Sequence, residues 1–467
     1  MIEETFDALI VGAGFSGIYS VKLLRDLGLN CLVVDQAGDV GGTWYWNLYP
    51  GAMSDTESYT YRFSWDREDL LNYEFKEHYV KQPEVLAYLR HVVERHDLRK
   101  HMCFNTQLIG ADWSDTDRRW HIAVTGDRKL RVKYLITALG LLSKQNYPDI
   151  PGIDSFKGDM HHTAKWPKDF PLEGKRVGVI GCGSTGVQVI TDIGRKVGHL
   201  TCFQRHPQYS VPSGDKKVTA EYRQWCNENW DGIWHRVRHS ITAFGFKESE
   251  VSYHDVSPEE RERIFEDNWQ QGNGFRFMFG TFNDITTDRE ANEGACAFIR
   301  KKIDQIVKEP EKSRKLKPYD VYARRPLCDG NASNGEKYFE QFNRDNVDIV
   351  DLKETPISQI EPQGVRTSDG KLHELDVLIL ATGFDAVEGN YNRIAIRGRD
   401  GMSLKDCWDE TGPTSKAHGC GRTSEPSPLT SRVRLHGHVR PRLSKPTHDH
   451  GSQRTLHEHS ARGRSAD

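Results

Sequence analysis

The chain has 467 residues, with 64 Lys+Arg against 67 Asp+Glu and a formal charge of −3. That length suggests two or three domains, and the near-neutral balance argues against a nucleic-acid partner, which calls for a basic face. No apolar run approaches the roughly 18 residues that span a bilayer, so no membrane partner is expected. Nine cysteines without a Cys-x-x-Cys pair fit a reducing, cytoplasmic setting and leave no metal knuckle or redox dithiol.

Short apolar runs predict buried strands at Leu9–Val11, Cys31–Val34, Tyr134–Thr137, Val177–Ile180, Leu200–Phe203 and Val377–Leu380. The first begins within Phe6-Asp7-Ala8-Leu9-Ile10-Val11, which reads as core, so no cleavable leader is expected. Between about Lys217 and Ser313 the pattern turns polar, aromatic and helical. There Ser257-Pro258-Glu259-Glu260 has the form of an N-cap, a Pro at the first helical position and an acidic first turn. The block reads as a helical insertion into an α/β domain. Composition shifts near residue 415: Lys416 to Asp467 hold ten Lys+Arg, four Asp+Glu and seven of the twenty His, and the last aromatic is Trp408. Such a segment buries too little apolar surface to offset its ordering entropy, so disorder is expected there. Its histidines hold no fixed spacing on a predicted element, so no metal site is assigned.

Two glycine motifs carry the chemistry. Gly12-Ala13-Gly14-Phe15-Ser16-Gly17 follows the first strand and opens a helix, and Asp35 ends the next strand at the distance expected for a ribose-hydroxyl acceptor. Gly181-Cys182-Gly183-Ser184-Thr185-Gly186 repeats the device after Val177–Ile180. The strand that follows it ends in Gln204-Arg205-His206, with no carboxylate. An acid there would repel a 2′-phosphate, whereas Arg205 can pair with it. The first site therefore reads as FAD-binding and the second as NADPH-binding, which predicts two Rossmann-like domains. Disulfide reductases share this plan but need paired cysteines; without them, oxygen is the expected electron acceptor.

Phe156-Lys157-Gly158 through His162 to Trp166-Pro167 matches Phe-x-Gly-x-x-x-His-x-x-x-Trp-Pro, the fingerprint of the Baeyer–Villiger monooxygenases. Gly41-Gly42-Thr43-Trp44, continuing through Tyr49-Pro50-Gly51 to Asp55, also fits that family. Asn229–Trp234, Gly274–Gly280 and Ala381–Val387 resemble its cyclohexanone monooxygenase branch. The resemblance covers roughly residues 5–415. It implies an enzyme in which NADPH reduces FAD, oxygen forms a flavin C4a-peroxide, and a ketone, by branch a cyclic one, becomes an ester or lactone. In Tyr322-Ala323-Arg324-Arg325-Pro326, Arg325 matches the catalytic arginine, Asp55 the carboxylate that positions it, and Arg324 a cation beside the NADP phosphate. Gly42, Thr43, Trp44, Tyr45, Trp46, Asp55 and Tyr61 match flavin-side positions; Ser184, Thr185, Gln188, Arg205 and His206 match NADP-side ones. The bland readings are an ion pair for Asp55 and Arg325 and core packing for Trp44 and Trp46. His162 is expected to serve a shape-changing linker between domains, and Trp166 to be a packing anchor.

The implied order is an FAD domain over 1–140, an NADP domain over 141–216, the helical insertion over 217–322, the NADP domain again over 323–378, a return to the FAD domain over 379–415, and the atypical tail over 416–467. Leu48 stands where the family has Arg, and Gly330–Lys337 reads as a surface insertion. After Gly412-Pro413-Thr414-Ser415 the family pattern stops, as a shift of reading frame or splicing would cause. Two alternatives follow from these residues: a catalytically silent homologue that keeps only nucleotide binding, and a heteroatom-oxidising flavin monooxygenase, from which the tryptophan–proline fingerprint and Arg325 point away. Oligomeric state is not readable.

Overall fold

In the computed structural model of the chain, residues 3–126, 128–322, 327–328, 337–386 and 388–411 are described. Arg324, Arg325, Val387, most of the 330–337 insertion and the 416–467 tail lie outside them. All six apolar runs are strands. The first sheet takes β1 (Glu3–Val11), β2 (Cys31–Val34), β3 (Met102–Cys103), β4 (Leu108–Ser114), β5 (Arg119–Val124) and β6 (Lys129–Thr137). The second begins with β7 (Asp159–His162), β8 (Arg176–Ile180) and β9 (His199–Gln204). Then come a two-stranded pair, β10 (Ser210–Val211) with β11 (Leu327–Cys328), and β12 (Val347–Asp351) of the second sheet. A meander of β13 (Ile357–Glu361), β14 (Gly364–Thr367) and β15 (Leu372–Glu374) leads to β16 (Val377–Leu380) in that sheet, and β17 (Ala395–Arg397) returns to the first.

The strand orders are β17-β4-β5-β6-β1-β2-β3 and β12-β9-β8-β16-β7. In each, the strand that precedes a glycine motif is central and parallel to both neighbours: β1 lies between β2 and β6, β8 between β9 and β16. Ala8, Leu9, Ile10 and Val177 are fully buried, and burying a large aliphatic side chain contributes roughly 1.5–3 kcal/mol. Such continuous apolar runs suit strands covered on both faces. The antiparallel β4 and β5 and the β13–β15 meander were not foreseen: β4 and β5 mix buried with exposed residues and the meander strands are short, so none gives a continuous apolar run.

Helices cover the sheets: α1 (Phe15–Asp26), α2 (Thr43–Trp46), α3 (Arg67–Asn72), α4 (Gln82–Arg95) and α5 (Ser184–Ile193). The expected insertion is α6 (Ala220–His239), α7 (Pro258–Gln271), α8 (Gly274–Gly280), α9 (Arg289–Ile306) and α10 (Pro310–Leu316). Ser257 caps α7, its hydroxyl accepting from the Glu260 N–H at 3.3 Å, with Pro258 next. Phe265, Trp269, Phe277, Phe298 and Tyr322 share one apolar core with Val177, Val179 and Ile379 of the second sheet, so the insertion is continuous with it.

Two connections join the sheets, and they run side by side. Asn146 N–H donates to Gly383 O at 2.9 Å, and Thr382 Oγ1 donates to Asn146 O at 2.5 Å. Asp385 N–H donates to Lys144 O, and Lys144 Nζ pairs with the Asp385 carboxylate at 2.5 Å. His162, buried at the end of β7, meets the same place, its Nε2 3.1 Å from Gly383 O. Among the described residues no helix is long and apolar enough to cross a membrane.

Candidate active site

The first crevice is built by close backbone approach. Gly12 N–H donates to Val34 O at 2.9 Å, and Gly12 has φ +112° with Ala138 O where a Cβ would go, 2.3 Å away. A Cβ on Gly17 would lie 1.8 Å from Gly12 O, so α1 packs directly on the turn. Gly14 is the N-cap of α1, and no side chain caps it or places an acid in its first turn, where Phe15 and Ser16 stand. The helix end is therefore a cluster of unpaired N–H donors with partial positive charge, a seat for an anion. Asp35 follows β2 and its two oxygens accept from Ala13 N–H at 2.6 Å and Ala37 N–H at 2.8 Å. Burial raises its pKa, and those two hydrogen bonds pull the other way.

The 42–61 residues wall this crevice. Gly42 sits against Gly14, where its Cβ would be 2.9 Å from the Gly14 Cα. Thr43 is exposed at the start of α2. Trp44 is buried, donates from Nε1 to Tyr61 Oη at 3.0 Å and meets that ring edge-on at 5.7 Å. Burial pushes the Tyr61 phenol up to about 12. Tyr61 also contacts Phe15 edge-on at 5.2 Å. Tyr45 Oη accepts from Gly38 N–H at 3.1 Å, and Tyr45 and Trp46 form an edge-to-face pair at 4.9 Å. Both are half-buried.

The second crevice repeats the backbone contacts of the first. Gly181 N–H donates to Phe203 O at 3.1 Å, and its missing Cβ would lie 2.5 Å from Ala381 O. Gly186 stands over Gly181 O as Gly17 stands over Gly12 O, at 2.2 Å. Gly183 caps α5, again without a side-chain cap, and nothing lies within 4 Å of where its Cβ would be. Ser184 and Thr185 form the first turn. Cys182 donates from Sγ to His206 O at 2.9 Å, and burial pushes its thiol up to about 12, so it is a packing residue and not a nucleophile. Arg205 is exposed just past β9 and forms no ion pair with any described residue.

Between the crevices lies a clasp. Gln188 of α5 is only 3% exposed; its Oε1 accepts from Tyr49 Oη at 2.9 Å, and its Nε2 donates to Met53 O at 3.2 Å and Asp55 Oδ1 at 3.3 Å. A Cβ on Gly51 would strike Gln188 O at 2.5 Å, which explains the glycine. Asn273, at φ +74°, caps α8 through Oδ1 and donates from Nδ2 to Tyr79 Oη at 2.8 Å and Asp55 O at 3.4 Å. The insertion and α5 thus both hold the Asp55 segment. Arg324 and Arg325 lie outside the described residues, but the chain on either side is anchored. Tyr322 is buried with its N–H on Asn292 Oδ1 at 3.0 Å, and Leu327–Cys328 pairs with Ser210–Val211. Tyr49, Asn273 and the structural commitment of Gln188 escaped sequence reasoning. An Asn-Gly pair ahead of an aromatic helix was the available signal for Asn273, as an N-cap that tolerates positive φ.

Residues 7–209 match the flavin-binding monooxygenase-like family profile. The chain is 50% identical over 414 residues to a Baeyer-Villiger monooxygenase of Pseudooceanicola batsensis, covering 88% of this chain and 74% of that protein. This chain is a Baeyer–Villiger monooxygenase, of the class B flavoprotein monooxygenases. Its fold agrees: a closed crystal structure of cyclohexanone monooxygenase superposes with TM-score 0.85 at 52% identity, over 87% of this chain and 76% of that one. Membership of this class accounts for the two Rossmann-like sheets and the helical insertion. Phenazine N-monooxygenase PhzNO1 of Lysobacter antibioticus is 48% identical over 406 residues, covering 87% of this chain and 74% of its own length.

Proposed function

We propose that the chain is an NADPH- and FAD-dependent monooxygenase that inserts one atom of O2 beside the carbonyl of a small cyclic ketone, giving a lactone, in the cytoplasm. The observation that carries this reading is the clasp: two glycine crevices of opposite charge character are joined through Gln188 to one half-buried carboxylate, Asp55.

The residues present fit both cofactors. Gly14 and Gly183 leave bare helix N-termini for a pyrophosphate, and a side chain at Gly183 would fill open space. Asp35 offers a carboxylate for ribose hydroxyls, with Gly12, Gly17, Gly42, Thr43 and the Trp44–Tyr61 pair shaping the FAD side. Arg205, with no ion-pair partner among the described residues, offers a cation for a 2′-phosphate, with Ser184, Thr185 and His206 on the same side and Arg324 as a second cation by family resemblance. When bound, FAD reduced by NADPH supplies the oxygen activation. Asp55 holds Arg325 in place, and the Arg325 guanidinium donates hydrogen bonds to the ketone oxygen as negative charge develops on it. Gln188 and Asn273 keep Asp55 from turning away. The buried aromatic insertion helps to exclude water.

The test is to purify the 467-residue chain, release and quantify its flavin by absorbance, and then supply NADPH, air and cyclohexanone. Near-stoichiometric FAD and ε-caprolactone by gas chromatography are expected. Soluble protein without FAD would overturn the reading in favour of a silent nucleotide binder. A second reading, N-oxidation of an aromatic heterocycle, is favoured by the phenazine N-monooxygenase relative. Phenazine converted to its N-oxide with no lactone from any ketone would establish it.

A further inference from the structure

A cavity of about 350 Å³ lies between the helical insertion and the segment that follows Asp55, and the proposed reaction makes no use of it. Its volume is at the lower end of the roughly 300–1,000 Å³ typical of small-molecule sites. One wall is a ladder of rings: Tyr222 of α6 lies 4.0 Å from the His78 ring and 6.1 Å, near-parallel, from Trp225. Trp225 is 44% exposed at this cavity although it is a large apolar residue. Phe246 also lines the cavity, with the Arg276 guanidinium 5.8 Å from its centroid.

The charges around the cavity are unbalanced. Lys216, Arg236, Lys247 and Arg276 line it, against a single carboxylate, Glu57. Arg276 pairs with Glu57 at 3.2 Å, and Lys247 reaches Glu250 only loosely, at 3.7 Å. Lys216 and Arg236 form no ion pair with any described residue. His78 is the second observation that points to a ligand. It is 5% exposed and lines the cavity, yet its ring nitrogens make no hydrogen bond with a described residue. Its main chain is fixed, with N–H on Lys216 O at 2.9 Å and O accepting from Ser58 N–H at 2.7 Å, and its ring packs on Tyr222. Burial lowers its pKa against the pull of Glu57 and Asp215 and with the push of Lys216 and Arg276, leaving a neutral imidazole with one N–H to donate.

We propose that this cavity binds an aromatic carboxylate, its ring stacked on Tyr222 and Trp225 and its carboxylate held by Arg236, Lys216 and the His78 N–H. A flat ring matches the ladder, and a cation pair with one neutral donor matches a single negative charge. Glu57 in the lining disfavours a dianion such as a phosphate monoester. The site is separate from both glycine crevices and does not rest on the monooxygenase reading.

Calorimetric titration of the full chain with 2-naphthoate at low salt tests this, alongside 2-naphthalenemethanol as the neutral isostere, inorganic phosphate, and a repeat with saturating NADP+. One naphthoate per chain is expected, binding about tenfold or more tightly than the alcohol, unaffected by NADP+ and weakened at least as much by the Lys216→Ala/Arg236→Ala pair. Equal binding of the alcohol would reduce the cavity to an apolar cleft. Phosphate binding that the same pair abolishes would reduce it to a cation cluster. Competition by NADP+, an unchanged affinity in the variant, or no binding would each overturn the proposal. If the double variant folds poorly, the comparison of the three probes on the unaltered chain still decides.

Discussion

The two crevices share one backbone plan and differ at a single functional point. In both, the first glycine donates to a carbonyl near the end of the neighbouring strand, an alanine carbonyl just past the flanking strand stands where its Cβ would be, and a later glycine lets the helix rest on the turn. After the second strand, however, one half presents Asp35 with both oxygens engaged by the turn itself, and the other presents Arg205 with no described partner. The shared part is a solution to packing a helix N-terminus against a parallel sheet. The difference is the selectivity, a carboxylate for hydroxyls against a cation for phosphate.

The largest break removes the guanidinium proposed to face the ketone oxygen. Arg325→Ala is expected to leave NADPH oxidation running and to lower lactone formation by about a hundredfold or more, the scale of losing an oxyanion donor. Separate measurement of NADPH consumption and lactone checks it; lactone at the parental rate would remove Arg325 from the mechanism.

Next come substitutions that test whether the halves are independent. Gly17→Ala places a methyl 1.8 Å from Gly12 O, and Gly186→Ala places one 2.2 Å from Gly181 O. Neither backbone can yield cheaply, and overpacking costs about 1–3 kcal/mol or more. Gly17→Ala is expected to lose FAD on purification. Gly186→Ala is expected to keep FAD and raise KM for NADPH. Loss of FAD from both would mean that the two sheets fold as one cooperative body.

A smaller effect isolates the selectivity. Arg205→Ala is expected to raise KM for NADPH by roughly ten- to a hundredfold, the loss of one or two charge-assisted hydrogen bonds, with KM for NADH nearly unchanged. Steady-state kinetics with both cofactors measures it. An equal loss for NADH would assign Arg205 to structure instead of the 2′-phosphate.

How much of this was legible depended on range along the chain. Five of the six expected strands were visible because residues such as Leu9–Val11 and Val377–Leu380 are buried on both faces, so local composition alone marks them; Tyr134–Thr137 of β6 is apolar but only partly covered. Strands such as β4 and β5 have exposed positions among buried ones and leave only a weak signal. The glycine motifs were readable because turn, helix and following strand are all local. The clasp was not. Gln188 and Asp55 are 133 residues apart and Asn273 and Tyr79 are 194 apart, and only the fold brings them together. Family resemblance supplied Asp55 and Gln188 as names, but not the fact that one holds the other.

The smallest expected effect lies where the halves join. His162 ends β7 in the second sheet, accepts at Nδ1 from Ala164 N–H at 3.1 Å and holds Gly383 O with Nε2 at 3.1 Å. Nδ1 accepts, so the proton sits on Nε2 and the ring is neutral as drawn. Burial lowers its pKa below the ordinary 6.5, the Gly383 bond opposing and Lys165 assisting. A histidine whose folded pKa is depressed stabilises the fold fully above its unfolded value and loses that contribution as pH falls toward the folded one. Protonation would put a hydrogen on Nδ1, against the Ala164 N–H, and loosen the β7 end from the Gly383 linker. The chain is therefore expected to lose thermal stability from about pH 6.5 downward, and His162→Asn, whose side-chain oxygen can still accept, to lose less of it. Tm measured between pH 5 and 8 for both proteins checks this. Identical pH profiles would mean that His162 does not titrate with folding and that other contacts, Asn146–Gly383 and Lys144–Asp385 among them, hold the junction between the halves.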